Sequence, residues 1–453
     1  MDAEFYSPTF LQLEKTLNSH STELLSTFSR FVKKGIFDLP PDLYRDFGVP
    51  LIRTSEIKNP VVDFSSTVFV DEETQNLNRK TELKAGDIVF TKIGANIGDV
   101  AILPTKYDRY NFSQNVAGLK VEKGKVKSGF LLAYLLSKYG NRQIRRSIML
   151  SGQGKLELED VKNIKVILLD DSVRELTHGI VARAEFLNET SIDIYRQAEQ
   201  ILLSELALSN WKPKHRLSYI KDFSATEDAT RIDAEYFQPM YDDILETVRG
   251  YKYGFDSTGA LFRQNMSPIK IKSEESYEYV EISSISPSSG EIETLDLSGK
   301  DLPANAKIKL SKGYLLISKV RTYRGGIAIV QHDGLVGSGA FTVLEESEKI
   351  NKETAFVYFK SSPILRLSLK YNAGTSYPVI DDSDILNMPF PLIPVKLQQA
   401  IKSRITEMYR ARAMSKRFLE TAKHGVEIAI ERSEKEAEKW MNKELQATEP
   451  GAH

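Results

Sequence analysis

The sequence predicts a mixed α/β protein, of the α+β kind, laid out as two tandemly repeated domains. Each domain is followed by a long α-helix, and the two helices pair as an antiparallel coiled coil. Three observations carry this prediction: the chain repeats itself, each copy strings short β-branched runs between turn formers, and each copy is followed by a long amphipathic stretch free of proline.

The repeat is read directly. Asp2-Ala3-Glu4-Phe5-Tyr6-Ser7-Pro8 returns as Asp233-Ala234-Glu235-Tyr236-Phe237-Gln238-Pro239, and Leu51 to Ile57 returns as Tyr279 to Ile285. Lys84 to Lys92, with its Lys-Ala-Gly-Asp-Ile-Val-Phe core, returns as Ser311 to Lys319, and Glu159 to Ile164 returns as Ser383 to Met388. Four matches in one order, at a slowly drifting offset, mark a diverged tandem duplication.

Each copy then shows the same order of elements. A helix-like segment opens it, Phe10 to Phe31 in the first and Met240 to Val248 in the second. Val89 to Ile93 and Val100 to Leu103 read as strands flanking a loop, as do Leu315 to Val320 and Ile327 to Val330. Leu131 to Leu136 and Val357 to Leu369 read as helical, before a Gly-containing loop (Ser151-Gly152-Gln153-Gly154 or Asn372-Ala373-Gly374-Thr375) and a last apolar strand. From Ser172 to Trp211, and from Val395 to about Asn442, apolar residues recur at helical spacing, among them Val173, Ile180, Ala184, Ile194 and Leu202, then Ile401, Ile405, Met408, Phe418 and Val426. The boundaries expected are residues 1–170 and 213–394 for the domains, 171–212 and 395–443 for the helices, and 444–453 for a disordered tail.

Composition narrows the function. The 453 residues are 41% hydrophobic and 27% charged, enough for packed cores over several domains. No stretch approaches the ~18 apolar residues of a membrane span, and the acidic opening Met1-Asp2-Ala3-Glu4 is unlike a secretory signal, so a cytoplasmic location is expected. Zero cysteines remove disulfides, thiol nucleophiles and thiolate zinc sites, and six scattered histidines make a metal cluster a poor expectation. Sixty-one basic residues against sixty-two acidic ones leave a net charge of -1, so any nucleic-acid function must rest on a local basic face.

Catalytic motifs are missing. Ser151-Gly152-Gln153-Gly154-Lys155-Leu156 lacks the spacing and the hydroxyl of a phosphate-binding loop, and Ile93-Gly94-Ala95-Asn96-Ile97-Gly98 lacks the opening of a dinucleotide fingerprint. Pro41-Asp42 followed by Glu56-Ile57-Lys58 fits the loose pattern of Mg²⁺-dependent nucleases, but the second copy has Ser284-Ile285-Ser286 there. The pattern reads better as a turn followed by a strand end.

Two related domains, each with a trailing helix and no catalytic machinery, make a recognisable arrangement: the chain resembles the DNA-specificity subunit of type I restriction-modification systems over approximately residues 1 to 442. The most telling parts are Gly86 to Gly94 with Asn96-Ile97-Gly98, and Gly313-Tyr314 through Arg321 with Arg324-Gly325-Gly326. The Asn163-Ile164 and Asn387-Met388 strands and the Pro391-Leu392-Ile393-Pro394 entry into the last helix are similar to that family too. The first copy departs from it at Asp170-Asp171-Ser172, where a proline is usual.

The resemblance implies that each domain is a target-recognition domain reading one half of a split, asymmetric site in double-stranded DNA. It implies that the helices set the gap and dock two methyltransferase subunits, and that motor and endonuclease subunits join through the methyltransferase. No cofactor is expected in this chain; SAM, ATP and Mg²⁺ would lie on the partner subunits, since no Asn-Pro-Pro-Tyr-like methyltransferase motif is present. The DNA-facing candidates are Lys92, Asn96, Lys319, Arg321, Tyr323 and Arg324 in the loops after the repeated lysine. A second set is Gln114 and Asn115, with Gln153, Lys155, Asn372 and Tyr377 beside the Gly-containing loops. Arg suits guanine edges, Asn and Gln suit adenine, and Lys more often holds phosphate. Because Lys92 and Lys319 recur in copies expected to read different bases, they are expected to hold phosphate or support the fold, while their variable neighbours specify. Arg404, Arg410, Arg412, Lys416 and Arg417 read as a solvated or partner-facing helix surface balanced by Glu407 and Glu420. Asp2 and Asp233 read as capping or domain-docking residues. The alternative is a scaffold of another DNA-modification or defence assembly, with the paired helices as its main functional surface.

Overall fold

Residues 7–150, 154–372 and 378–448 are described by the structure, a computed structural model. The chain divides into two units, Met1–Thr190 with Arg410–His453, and Ser191–Tyr409.

In the first unit, helix α1 (Pro8–Ser19) starts on a proline, where the missing N–H costs nothing, and buries Phe10, Leu13 and Leu17. It stops at His20, whose backbone is extended, and strands β1 (Thr22–Leu24) and β2 (Ser29–Lys34) follow. The helix expected as far as Phe31 therefore ends early. Phe31 lies on β2, because pairing with a neighbouring strand overrides a weak local helical pattern. Strands β3 (Ile88–Thr91), β4 (Val100–Ile102) and β5 (Val116–Val121) complete an antiparallel sheet in the order β2-β5-β3-β4. The almost wholly buried α2 (Ser128–Leu136) and then α3 (Lys138–Leu150) follow it. Strand β6 (Lys165–Ile167) returns to pair with β1, and the long helix α4 (Asp171–Glu205) begins.

The second unit repeats this plan. Helix α5 (Pro239–Arg249) again starts on a proline; β7 (Phe255–Ser257) pairs with the late strand β11 (Pro389–Pro391) as β1 pairs with β6. Strands β8 (Leu315–Ser318), β9 (Ile327–Ile329) and β10 (Phe341–Leu344) form a sheet in the order β9-β8-β10, matching β4-β3-β5. Each copy also carries a parallel strand pairing, with Leu51 opposite Asn111 and Tyr279 opposite Val336. The helical segment expected over Val357 to Leu369 is divided into α6 (Lys352–Lys360) and α7 (Ser362–Leu367), because Pro363 cannot sit inside a helix without clashing with the preceding turn.

Helix α8 (Val395–Glu431) is the second long helix, and α9 (Glu434–Thr448) follows a break at Arg432 and Ser433. Glu444 to Thr448, expected in a tail, are thus helical. Helix α9 packs on α8 at Gly425, where a Cβ would lie 2.3 Å from the Met441 sulfur and would force that side chain to move. The long helices pack on each other: in the first unit Val173, Ile180 and Ala184 share a core with Phe418, Ala422 and Val426, and Ser415 Oγ donates to the Ala184 carbonyl at 2.7 Å. In the second unit Ile194, Ala198 and Leu202 share a core with Ile401, Ile405 and Met408. The early half of α4 meets the late half of α8, and the reverse, which is the order of an antiparallel pair. The same cores hold the domains' own apolar residues, so each helix is fastened both to its partner and to a domain.

Glu185 on α4 gives this packing a pH dependence. One of its oxygens is buried without a hydrogen-bond partner among the described residues, and burial, with Glu189 nearby, pushes its carboxyl up to about 7 from an ordinary 4.5. The folded state then holds this proton more tightly than the unfolded chain, so stability declines as pH rises between those two values. Glu185→Gln is expected to raise stability at pH 8 by about 2 kcal/mol and to change it little at pH 5. Thermal melts at both pH values check this; equal effects would show that the carboxyl is not held neutral.

Candidate functional site

The site grows from a structural knot repeated in both domains. In the first, Lys92 follows β3 directly; its N–H donates to the Asn115 carbonyl at 2.9 Å and its carbonyl accepts from the Leu156 N–H at 2.9 Å. In the second, the Lys319 N–H donates to the Ala340 carbonyl and its carbonyl accepts from the Ile380 N–H, both at 2.9 Å. The backbone of the repeated lysine thus joins three segments: the β-hairpin loop that follows it, the turn before the next strand, and the residues after the Gly-containing loop. Lys92, Asn96, Gln114, Asn115 and Lys155 are brought to one knot, and Lys319, Arg321, Tyr323 and Arg324 to its counterpart.

The first hairpin loop is closed by Gly98 N–H to the Thr91 carbonyl at 3.0 Å and Asp99 N–H to the Asn96 carbonyl at 3.0 Å. Gly98 has φ +87, a backbone conformation that favours glycine, and a Cβ there would press on the Ile148 terminal methyl of α3 at 2.9 Å. Arg145 on α3 donates to the Ile97 carbonyl at 3.2 Å and steadies the loop. Its tip is uncharged: Ile93, Gly94 and Ala95 are exposed and Asn96 is half-buried. Gln114 is half-buried, Asn115 is exposed, and the Lys155 ammonium pairs with Glu157 at 2.8 Å.

The second loop has the same frame and different chemistry. Arg321 adopts a left-handed backbone, φ +50, that non-glycine residues rarely take, and its N–H donates to the Pro378 carbonyl at 2.9 Å. Thr322 Oγ1 donates to the Ser318 carbonyl at 2.6 Å, and the buried Lys360 on α6 donates to the Gly325 carbonyl at 3.0 Å and to that of Pro287. Held this way, the turn exposes Arg324, whose guanidinium lies 5.9 Å from the centre of the Tyr323 ring.

Asn372 is half-buried; its carbonyl accepts from Arg231 at 3.2 Å, and its Oδ1 is buried without a hydrogen-bond partner among the described residues. Arg231 also holds Asp233 at 2.8 Å, and Asp233 accepts from the Tyr236 N–H at 3.0 Å, so Asp233 closes a local turn and is not the cap of α5, whose N-cap is Gln238. Gln153, Tyr377 and Asp2 lie outside the described residues.

The nuclease pattern is not assembled. Glu56 is fully buried, taking the Arg53 guanidinium at 2.7 Å, the Arg53 N–H at 2.8 Å and the Ser55 hydroxyl at 2.8 Å, while Asp42 and Lys58 are exposed. Among the described residues no cluster of three or more His, Asp or Glu is placed to hold a metal ion, and no helix is long and apolar enough to cross a membrane. On α8, Arg404 pairs with Glu407 and Arg417 with Glu444, each at 3.0 Å, whereas Arg412 is buried.

The sequence reading missed Arg145, which bonds the first loop, and Asp382, which pairs with Lys319; it also missed Lys34, whose charge acts on Lys92, and Arg231, which binds the Asn372 carbonyl. The usable signal lay in comparing the copies residue by residue. Two positions past Leu156 stands Leu158, and two past Ile380 stands Asp382, a charge in one copy only.

Residues 31–169 match the family model for the type I restriction modification DNA specificity domain. A protein of Methanocaldococcus jannaschii, named as the MjaX specificity subunit of a type I restriction enzyme, is 21% identical over 390 residues, covering 83% of this chain and 84% of its own. Among solved structures, the type I S subunit from M. genitalium aligns with 94% of this chain and 95% of its own at 12% identity and TM-score 0.40. The HsdS subunit from Thermoanaerobacter tengcongensis aligns with 96% and 97% at 11% identity and TM-score 0.27. Over residues 31–169 the chain is therefore similar to the type I restriction modification DNA specificity domain, and along most of its length it is similar to the specificity subunit of a type I restriction enzyme.

Proposed function

We propose that this chain is the non-catalytic DNA-recognition subunit of a type I restriction-modification enzyme, each domain reading one half of a bipartite, asymmetric site. The observation that carries this reading is the duplicated knot: one backbone frame presents an uncharged loop with Asn96 in the first copy and a loop with Arg321, Tyr323 and Arg324 in the second. A shared frame with unlike tips suits two unlike half-sites, since amides and guanidiniums favour different base edges. The paired helices set the spacing and dock two methyltransferase subunits, through which motor and endonuclease subunits join. Helices of 35 and 37 residues are each about 50 Å long, a length that suits sites a turn or more of duplex apart. In this reading SAM, ATP and Mg²⁺ belong to the partner subunits, and this chain performs no chemistry itself.

The test is adenine-methylation mapping in cells given this gene with its methyltransferase gene. One interrupted, asymmetric motif that disappears with this gene is expected. Methylation unchanged by its deletion would place recognition elsewhere.

A further inference from the structure

We propose that Lys92, with Lys34 and Lys155 close to it, forms a site for one backbone phosphate of DNA in the first domain, and that the second domain has replaced this site by an internal ion pair. The inference rests on the DNA-recognition reading and deepens it, because it separates the roles of two lysines that the repeat makes equivalent.

Lys92 has 8% relative exposure as a residue, and among the described residues no hydrogen bond or ion pair reaches its Nζ. The stem of Lys92 is buried while its ammonium, with no partner of its own, stays open to an anion from outside. Its surroundings press the same way. Burial lowers the Lys92 pKa, Lys34 and Lys155 lower it further, and Glu157 opposes them. Glu157 is already taken by Lys155 at 2.8 Å. Lys34 at the end of β2 and Lys155 after Gly154 thus add positive charge around Lys92, which is what an incoming oxyanion would meet.

The second domain shows what fills this place when the protein supplies the anion itself. Lys319 Nζ meets Asp382 Oδ2 at 3.1 Å, and Asp382 Oδ1 accepts from Thr342 Oγ1 at 2.5 Å. Counting from the matched backbone hydrogen bonds of the two knots, the place of Asp382 is held in the first copy by Leu158 and that of Thr342 by Ala117. The first copy therefore has the lysine without the carboxylate and hydroxyl that neutralise its twin. A tetrahedral oxyanion supplies the missing charge and acceptors.

The experiment compares wild type, Lys92→Met, Lys92→Arg and Lys319→Met. Each is assembled with the methyltransferase subunit and bound to a duplex carrying the mapped motif across a range of salt concentrations. Lys92→Met is expected to weaken binding about tenfold on matched and unmatched duplexes alike and to lower the salt slope by about one phosphate contact. Lys92→Arg should keep the wild-type slope, which guards against a mere folding defect. Lys319→Met should lower thermal stability and leave the slope unchanged. A wild-type slope in a folded Lys92→Met complex that still prefers its motif would overturn the proposal, as would equal loss of slope in Lys319→Met. Protection of Lys92 from amine labelling by micromolar inorganic phosphate, with an unchanged slope on DNA, would overturn it in favour of a small-anion pocket. A wild-type complex with no motif preference would sink the DNA-recognition reading itself, and the proposal with it.

Discussion

Replacing Arg321 and Arg324 together by alanine is expected to weaken binding to the full DNA site by roughly a hundredfold or more, with the whole loss at one half-site. A well-placed guanidinium on a base edge discriminates by about 1–3 kcal/mol, so two of them account for a change of this size. The prediction leans on geometry as well as on charge. Arg321 holds a left-handed backbone, tied by its N–H to Pro378, and such strain persists where the surroundings over-determine it. Arg324 is exposed beside the Tyr323 ring, so its loss removes contact chemistry and little of the core. The measurement is binding of the methyltransferase complex to duplexes with either half-site scrambled. Wild type and variant should bind alike when the half read by the second domain is scrambled, and differ when that half is intact. Uniform weakening on every duplex would mean that these arginines hold phosphate.

Glu56→Ala should be the most damaging single change to the first domain, costing about 3–5 kcal/mol of stability. The carboxylate is wholly buried, and its removal strands the Arg53 guanidinium, which otherwise bonds both Glu56 and the Ser66 carbonyl at 2.8 Å. Glu56→Gln keeps the volume and part of the hydrogen bonding and should fall between. Denaturant titration of the intact chain, followed by a probe in the first domain, reads the effect. A Glu56→Ala protein as stable as wild type would mean that the buried pair contributes nothing, and would reopen a chemical role for this carboxylate.

Much of this architecture was legible because it depends on local rules. Repeated segments keep their spacing, prolines mark helix starts at Pro8 and Pro239, and the stripe from Val173 to Leu202 has the helical period. Where the reading failed, a distant partner decided. Phe31 joined a strand because β5 offers it a ladder, and the last helix was read as one because nothing local marks the fold-back that places Met441 on Gly425. In the site, the repeat pointed to Lys92 and Lys319, and the structure gives both lysines matched backbone partners. Asp382 escaped notice because it reaches Lys319 from a separate stretch of chain.

The sequence by itself determined that there are two copies and which residues can form strands and helices, since composition and period are properties of the chain alone. Only the tertiary structure decided that each long helix gives one half to each unit, that Glu56 is an internal partner for Arg53, and that two lysines at one repeat position differ in state. The physical reason is the same in all three cases. Burial and charge pairing depend on what lies within a few ångströms, and residues far apart in sequence supply it.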